Sequence, residues 1–149
     1  MGKSINIISH SPEETVKIGT KIAPFIGIGK IVYLNGDLGT GKTTLVQGIT
    51  SYYNCLQRAK SPTFIIISSY KGDIQVHHCD LFRINNSEEI FDLSIEEYLE
   101  TGNLIIEWPE KASIYLPPPT LEINFQHTSS DTNRNIILYS ENEELIDAI

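Results

Sequence analysis

The chain is poor in cysteine, poor in basic residues and without a long apolar run. Its two cysteines, Cys55 and Cys79, are too few to form a disulfide framework. No apolar stretch approaches the roughly 18 residues that a membrane-spanning helix needs. No charged segment followed by an apolar run opens the sequence. We therefore expect a cytoplasmic protein that does not contact a membrane.

Basic residues are outnumbered by acidic ones, 11 against 19, which gives a formal net charge of −8. A surface with this balance repels the phosphate backbone of nucleic acids, so the chain is not expected to bind nucleic acid by itself. With 149 residues, of which 40% are apolar, the chain is expected to form one globular domain over residues 1–149.

Local patterns predict alternating helices and strands. The run 11–14, Ser-Pro-Glu-Glu, is a typical helix start, and Pro24 ends that helix. Short helices are expected to begin at Ser87 and Ser94, the second with a capping box and with Gly102 as its C-terminal cap. The other expected elements are a strand over 30–35 buried on both faces, a helix over 42–54, an antiparallel hairpin of 64–70 with 74–79, a strand over 104–106, a strand pair over 121–125 and 135–139, and a helix near 141–148.

A phosphate-binding loop motif stands between the strand 30–35 and the helix that follows it. Residues 36–43 match G-x-x-x-x-G-K-[ST] at every defined position. Gly39 and Gly41 leave the backbone open, so that several N–H groups can converge on a phosphate. Lys42 is expected to reach the β- and γ-phosphates and the Thr43 hydroxyl to ligate Mg²⁺. A dinucleotide fingerprint is disfavoured because its third glycine is missing.

Two carboxylates are candidates for holding the metal and orienting the attacking water. Asp80 and Glu107 each follow a predicted strand, where the ligand crevice of an α/β sheet lies. The sequence leaves open which of them does what. Thr63 stands in a segment that either orders around the γ-phosphate or forms a plain turn. Trp108 either fills the core or lines the site.

The run 77–80, His-His-Cys-Asp, consists entirely of residue types that ligate metals. Adjacent residues of a strand point to opposite faces, so the four side chains cannot share one ion. A transition-metal site is therefore disfavoured.

Four blocks of sequence resemble the TsaE family, the small P-loop ATPases of bacterial tRNA threonylcarbamoyladenosine biosynthesis. The blocks are 36–45, 61–64, 78–83 and 106–110, and the likeness covers nearly the whole chain. Thr40, Cys79 and Phe82 depart from the residues usual in the family, which are alanine, an aromatic residue and tyrosine. The resemblance implies an α/β fold of the P-loop NTPase type, a three-layer sandwich whose mixed central sheet includes an antiparallel hairpin.

The resemblance also implies site residues for ATP or ADP and Mg²⁺. Lys42, Asp80 and Glu107 would be catalytic, and Thr43, Glu107 and Asp80 would hold the metal. Thr63 would belong to a switch-like segment. The implied nucleotide-binding residues are Ser11, Asp37, Leu38, Gly39, Thr40, Gly41, Lys42, Thr43, Thr44, Thr63, Trp108 and Arg134.

Partners follow from the same resemblance. The partner would be the TsaD–TsaB heterodimer, whose TsaD subunit transfers the threonylcarbamoyl group to the adenosine next to the anticodon in ANN-decoding tRNAs. This chain would meet tRNA only indirectly. Its Mg-dependent ATP hydrolysis, slow alone and regulated by the partner, would support repeated turnover. Ser11 and Arg134 would border the base.

Two other functions remain as alternatives. A small-molecule P-loop kinase needs an arginine-rich lid, whereas the chain contains only Arg58, Arg83 and Arg134. A nucleotide-gated binding module without useful turnover is the non-enzymatic alternative. The absence of an Asn-Lys-x-Asp motif, which would select guanine, favours ATP over GTP.

Overall fold

A computed structural model describes residues 2–37, 39–59 and 67–149. Within these ranges, helices flank a seven-stranded mixed sheet. The strands are β1 (Lys3–Ser9), β2 (Ile31–Asn35), β3 (Ile67–Lys71), β4 (Gln75–Asp80), β5 (Gly102–Glu107), β6 (Leu121–His127) and β7 (Arg134–Ser140), and the α-helices are α1 (Pro12–Ile22), α2 (Lys42–Tyr52), α3 (Ile95–Leu99) and α4 (Glu143–Asp147). Short 3₁₀ segments cover Ala23–Phe25, Ser87–Leu93, Pro109–Lys111 and Ser113–Tyr115. None of the described helices is both long enough and apolar enough to cross a bilayer.

The strands lie in the order β1-β7-β6-β2-β5-β4-β3. The four central strands, β6, β2, β5 and β4, run parallel to one another, and β1, β7 and β3 pair antiparallel at the two sides. The antiparallel pairing of β3 with β4 confirms the predicted hairpin over the residues that are described. Parallel strands end at the same edge of a sheet, so the loops after β2, β4 and β5 meet there.

The parallel strands are buried on both faces, as the β-branched run 30–35 predicts. Val32 and Leu34 of β2 pack into a core cluster with α1 and α2, whereas Ile31 and Tyr33 pack into a second cluster with the segments between residues 84 and 116. Helices and 3₁₀ segments therefore cover the two faces, which produces the expected three layers.

Helix α1 begins where the sequence predicts. The Glu14 backbone N–H donates to Ser11 Oγ at 3.2 Å, and the His10 N–H donates to Glu14 Oε2 at 2.8 Å. The first bond satisfies a donor that the first turn of a helix leaves open, and the second holds the residue before the N-cap against that turn. Pro24 lies in a 3₁₀ segment directly after the helix, as expected.

The helix starts predicted at Ser87 and Ser94 are confirmed, but the capping bond of Ser94 and the cap at Gly102 are not found, and strand β1 is absent from the predicted elements. Ser94 precedes α3 with a left-handed backbone (φ 52°) and makes no capping side-chain bond. Gly102 does not cap that helix but begins β5, where a Cβ would overlap the carbonyl oxygen of Gln75 on the neighbouring strand. The sequence analysis does not predict strand β1, in which Ser4-Ile5-Asn6-Ile7 alternates but Ile8 breaks the pattern, and which lies half exposed at the edge of the sheet.

Helices α1 and α2 approach closely through two glycines. A Cβ on Gly19 would overlap the carbonyl oxygen of Leu45, and a Cβ on Gly48 would overlap that of Val16. Since α2 follows directly on the phosphate-loop motif, this contact fixes the loop's helix against α1.

We predict that Gly48→Ala destabilises the protein. Alanine has the better helix propensity by about 1 kcal/mol, but overpacking against a rigid backbone costs about 1–3 kcal/mol and should outweigh that gain. Thermal unfolding followed by circular dichroism should show a lower Tm. The control is Ser51→Ala, at an exposed position of the same helix, where no loss is expected. An unchanged or raised Tm for Gly48→Ala would contradict the close packing.

Candidate nucleotide-binding site

A cavity of about 350 Å³ opens beside the start of α2 and the end of β5. It lies at the edge where the parallel strands end, which is where α/β sheets bind ligands. The lining residues are Ser11, Pro12, Thr15, Gly39, Gly41, Lys42, Thr43, Thr44, Glu107, Thr132 and Arg134.

The phosphate-loop motif folds as a turn of glycines with positive φ. Gly39 has φ 75° and Gly41 has φ 102°, conformations that side chains disfavour. The Thr40 hydroxyl donates to the Asp37 carbonyl at 2.7 Å and is itself buried, so it closes the loop on its inner side. Gly41 is the N-cap of α2 and has no side chain that could cap the first-turn N–H groups. These groups and the helix dipole favour an anion in the cavity.

Lys42 is a buried cation at one end of the cavity. Its Nζ donates to the Gly36 carbonyl at 2.6 Å and lies 3.4 Å from Glu107 Oε1. The same atom lies 4.8 Å from the centre of the Trp108 ring. Only 5% of the side chain is exposed, so the carboxylate and the ring replace water as its surroundings.

Glu107 is the last residue of β5, and both of its oxygens have partners. Oε1 faces Lys42, and Oε2 lies 2.5 Å from Nε2 of His78, a fully buried residue of β4. Burial alone would raise the pKa of Glu107, but the hydrogen bond from His78 and the positive charge of Lys42 outweigh it and hold the pKa below its ordinary value. The carboxylate is therefore held in its ionised form.

Asp80 ends β4 in register with Glu107 on the neighbouring strand. Its Oδ1 accepts a hydrogen bond from the Phe82 backbone N–H at 2.9 Å. Burial raises the pKa of Asp80 above its ordinary value. Asp80 is half-buried and does not belong to the residues that line the cavity. The sheet thus places the two predicted carboxylates side by side, in environments that move their pKa values in opposite directions.

Another part of the cavity lining comes from the start of α1 and from the chain around β7. Ser11 and Arg134, both predicted near the base, line it, and Arg134 Nη2 donates to the Gly39 carbonyl at 3.2 Å. Thr15 and Thr132 also line it and were not predicted. Their only sequence signal is position, since Thr15 follows Ser11 by one helical turn and Thr132 precedes Arg134 by two residues.

The structure brings most of the predicted site residues to this cavity, with some exceptions. Leu38 lies outside the described residues, and so does the predicted switch-like segment over 61–63, which includes Thr63. Asp37 and Thr40 shape the loop without lining the cavity. Trp108 packs against Lys42 and also contacts Phe82, with ring centroids 5.0 Å apart and ring planes tilted by 51°.

The two adjacent histidines of β4 have separate surroundings. His78 points to Glu107, whereas His77 on the opposite face bonds the Ser69 hydroxyl through Nδ1 at 2.7 Å and the Thr101 hydroxyl through Nε2 at 2.9 Å. Within the described ranges, no three His, Cys, Asp or Glu residues are grouped so that they could hold a metal ion.

The sheet order, the glycine loop between β2 and α2, and the buried lysine together define an α/β protein of the P-loop NTPase class. The family profile described as "Threonylcarbamoyl adenosine biosynthesis protein TsaE" matches residues 9–136. The chain therefore belongs to the TsaE family, and the predicted family and fold class are confirmed.

Individual relatives agree with the family match. The tRNA threonylcarbamoyladenosine biosynthesis protein TsaE of Rickettsia bellii is 38% identical over 127 residues, which cover 83% of this chain and 88% of that protein. The protein of the same name from Bacillus subtilis is 34% identical over 123 residues, covering 81% and 77%. The crystal structure of Bacillus subtilis YdiB matches with a TM-score of 0.78 at 28% identity and covers 99% of this chain and 94% of that one.

We predict that His77 makes stability depend on pH. Burial lowers the pKa of His77 below its ordinary 6.5, so as the pH falls below 6.5 the unfolded chain takes up a proton that the folded protein does not. The contribution of His77 to the free energy of unfolding should therefore be complete above about pH 6.5 and should be lost as the pH falls through the lowered pKa of His77.

Urea unfolding of wild type and His77→Gln between about pH 7 and about pH 5 checks this prediction, because the variant lacks the titrating ring and should show the flatter dependence. The exposed His10→Gln is the control and should keep the wild-type slope. Equal slopes for wild type and His77→Gln would contradict the burial argument.

Proposed function

We propose that this protein binds and hydrolyses ATP with Mg²⁺, and that it supports the threonylcarbamoyladenosine modification of tRNA through a protein partner. The observation that carries the proposal is Lys42, a buried ammonium held between the phosphate-loop carbonyl of Gly36 and the carboxylate of Glu107 at the end of the cavity. A cation in this position is suited to the terminal phosphates of a nucleotide.

The residues at this end of the cavity fit a nucleotide with its metal. Gly39, Gly41 and the start of α2 offer N–H groups to phosphate oxygens. The Thr43 hydroxyl and the Glu107 carboxylate line the same cavity, and such oxygen ligands are those that Mg²⁺ prefers. When bound, Mg²⁺ would neutralise phosphate charge. Elsewhere in the cavity lining, Ser11, Arg134 and their neighbours would receive the base and sugar.

The opposite pKa shifts suggest a division of labour between the two carboxylates. Glu107, ionised and bound by two partners, is suited to holding charge and to ligating the metal. Asp80 has its pKa raised by burial, which makes it the better acceptor for a proton from the attacking water. We therefore assign to Asp80 the role of accepting a proton from the attacking water, and to Glu107 the role of ligating the metal.

The partner that we propose is the TsaD–TsaB complex, in line with the family to which the chain belongs. A net charge of −8 opposes direct contact with tRNA, so the modifying complex rather than this chain would hold the tRNA. Hydrolysis would then be slow in the isolated protein and would rise when the partner completes the site.

Lys42→Ala should weaken ATP binding by about 10- to 100-fold, because hydrogen bonds to charged groups contribute about 1.5–3 kcal/mol. Isothermal titration calorimetry with ATP and Mg²⁺ measures the loss. Lys111→Ala is the matched control, since Lys111 lies over the Phe82 ring and does not line the cavity. Unchanged ATP affinity in Lys42→Ala would exclude the proposed site.

Phosphate release from ATP should be slow for the protein alone and faster with TsaD and TsaB. Glu107→Ala and Asp80→Ala should both abolish the stimulated rate, the first through the lost metal ligand and the second through the lost water acceptor. The exposed Glu110→Ala should keep it. A wild-type protein that does not respond to TsaD and TsaB would refute the proposed partner, and full activity of either site variant would refute that residue's role.

A further inference from the structure

His78 is a fully buried side chain at the base of the candidate site. It lies on β4, and its Nε2 is 2.5 Å from Glu107 Oε2 on the neighbouring strand β5. The alternation of the strand puts His78 on the same face as Val76, which packs into the core cluster under α1 and α2. The ring therefore approaches Glu107 from inside the protein.

Within the described residues, the imidazole of His78 makes one hydrogen bond, through Nε2. Its Nδ1 is buried and has no partner among the described residues, whereas both ring nitrogens of the adjacent His77 are bonded to hydroxyls. Burying an imidazole is costly unless its nitrogens are hydrogen-bonded, and among the described residues only Glu107 provides such a bond. What histidine adds at this position is the bond to Glu107.

The bond from His78 determines which carboxylate oxygen of Glu107 faces the cavity. With Oε2 bound by His78, Oε1 is the oxygen that faces Lys42 at 3.4 Å. Two contacts on the two oxygens fix the rotation of the carboxylate about its terminal torsion, which is otherwise broad. Loss of a residue that hydrogen-bonds to a metal ligand and orients it typically reduces metal affinity or activity by about 10- to 100-fold.

We propose that His78 is a positioning residue for Glu107, holding Oε2 so that Oε1 is directed to the phosphate and metal end of the cavity. This role rests on the proposed function, because Glu107 needs a fixed orientation only if it serves a nucleotide and its metal. His78 itself does not line the cavity.

The first test measures the Mg²⁺ dependence of nucleotide binding with a fluorescent ADP analogue. His78→Leu should raise the Mg²⁺ concentration for half-maximal tightening by about 10- to 100-fold, with little change in binding without Mg²⁺. His78→Gln keeps an N–H donor that can reach Glu107 and should recover most of the wild-type value. His77→Leu is the matched control, a buried histidine on the same strand that does not touch Glu107, and should lose stability without a change in Mg²⁺ dependence.

The second test needs neither metal nor turnover. Long-range ¹H–¹⁵N NMR of the imidazole should show the His78 proton on Nε2, and Glu107→Gln should shift the His78 ring signals while leaving those of His77 in place. If the proton lies on Nδ1 alone, or if the His78 ring signals are unchanged in Glu107→Gln, the proposal is overturned. This result does not depend on whether His78→Leu folds.

The outcomes separate this inference from the proposed function. If wild type shows no Mg²⁺-dependent nucleotide binding, the proposed function fails, and the metal-directed role of His78 fails with it. If wild type binds as expected but His78→Leu and His77→Leu behave alike, only the role of His78 is refuted. Recovery by His78→Gln and not by His78→Leu supports it.

Discussion

The site depends on a buried pair of opposite charges, Lys42 and Glu107. Two such charges taken out of water are costly unless each is paired and hydrogen-bonded. Here the ammonium is bound by the Gly36 carbonyl and the carboxylate by His78, so each ion has a second partner besides the other. The arrangement ties the phosphate loop to the end of β5. Any group that binds the ammonium from the cavity side would have to share it with Glu107.

The parallel sheet makes this pairing possible. Lys42 begins the helix after β2, Glu107 ends β5 and His78 lies on β4, and these three strands are neighbours in the sheet. The register places Asp80 beside Glu107, so an ammonium, an imidazole and two carboxylates come together from the ends of two strands and the start of one helix. This register matters because a slip by one residue would move every side chain of a strand to the opposite face, which would exchange side chains between the two cores and turn His78 away from Glu107. The stability of the core and the geometry of the site therefore rest on the same strand pairing.

Features of the fold and site that depend on residues close together in sequence could be predicted, whereas those that depend on residues far apart in sequence could not. The cap at Ser11, the glycine loop and the strand 30–35 depend on neighbours in sequence, and local patterns predicted them. The missed strand β1 pairs with β7 across the whole length of the chain. The pairing of His78 with Glu107 and the approach of Thr15 and Thr132 to one cavity depend on strand order, which composition and periodicity do not contain. For the same reason the local pattern predicts a helix cap at Gly102, although the role of this glycine is to let β4 pass close by.

The residues that line the cavity carry a charge opposite in sign to the net charge of the chain, and this difference limits what can bind there. The chain carries −8 in total, yet the cavity is lined by Lys42, Arg134 and the start of α2, and one carboxylate, Glu107, already faces the lysine. Surface charges are screened beyond about 10 Å in ordinary salt, so a small phosphate compound inside the cavity interacts mainly with its lining. A polynucleotide must instead lie along the acidic surface, where each further phosphate adds repulsion. The lining of the cavity of about 350 Å³ therefore favours a small phosphate compound, whereas the net charge of the chain opposes a polynucleotide.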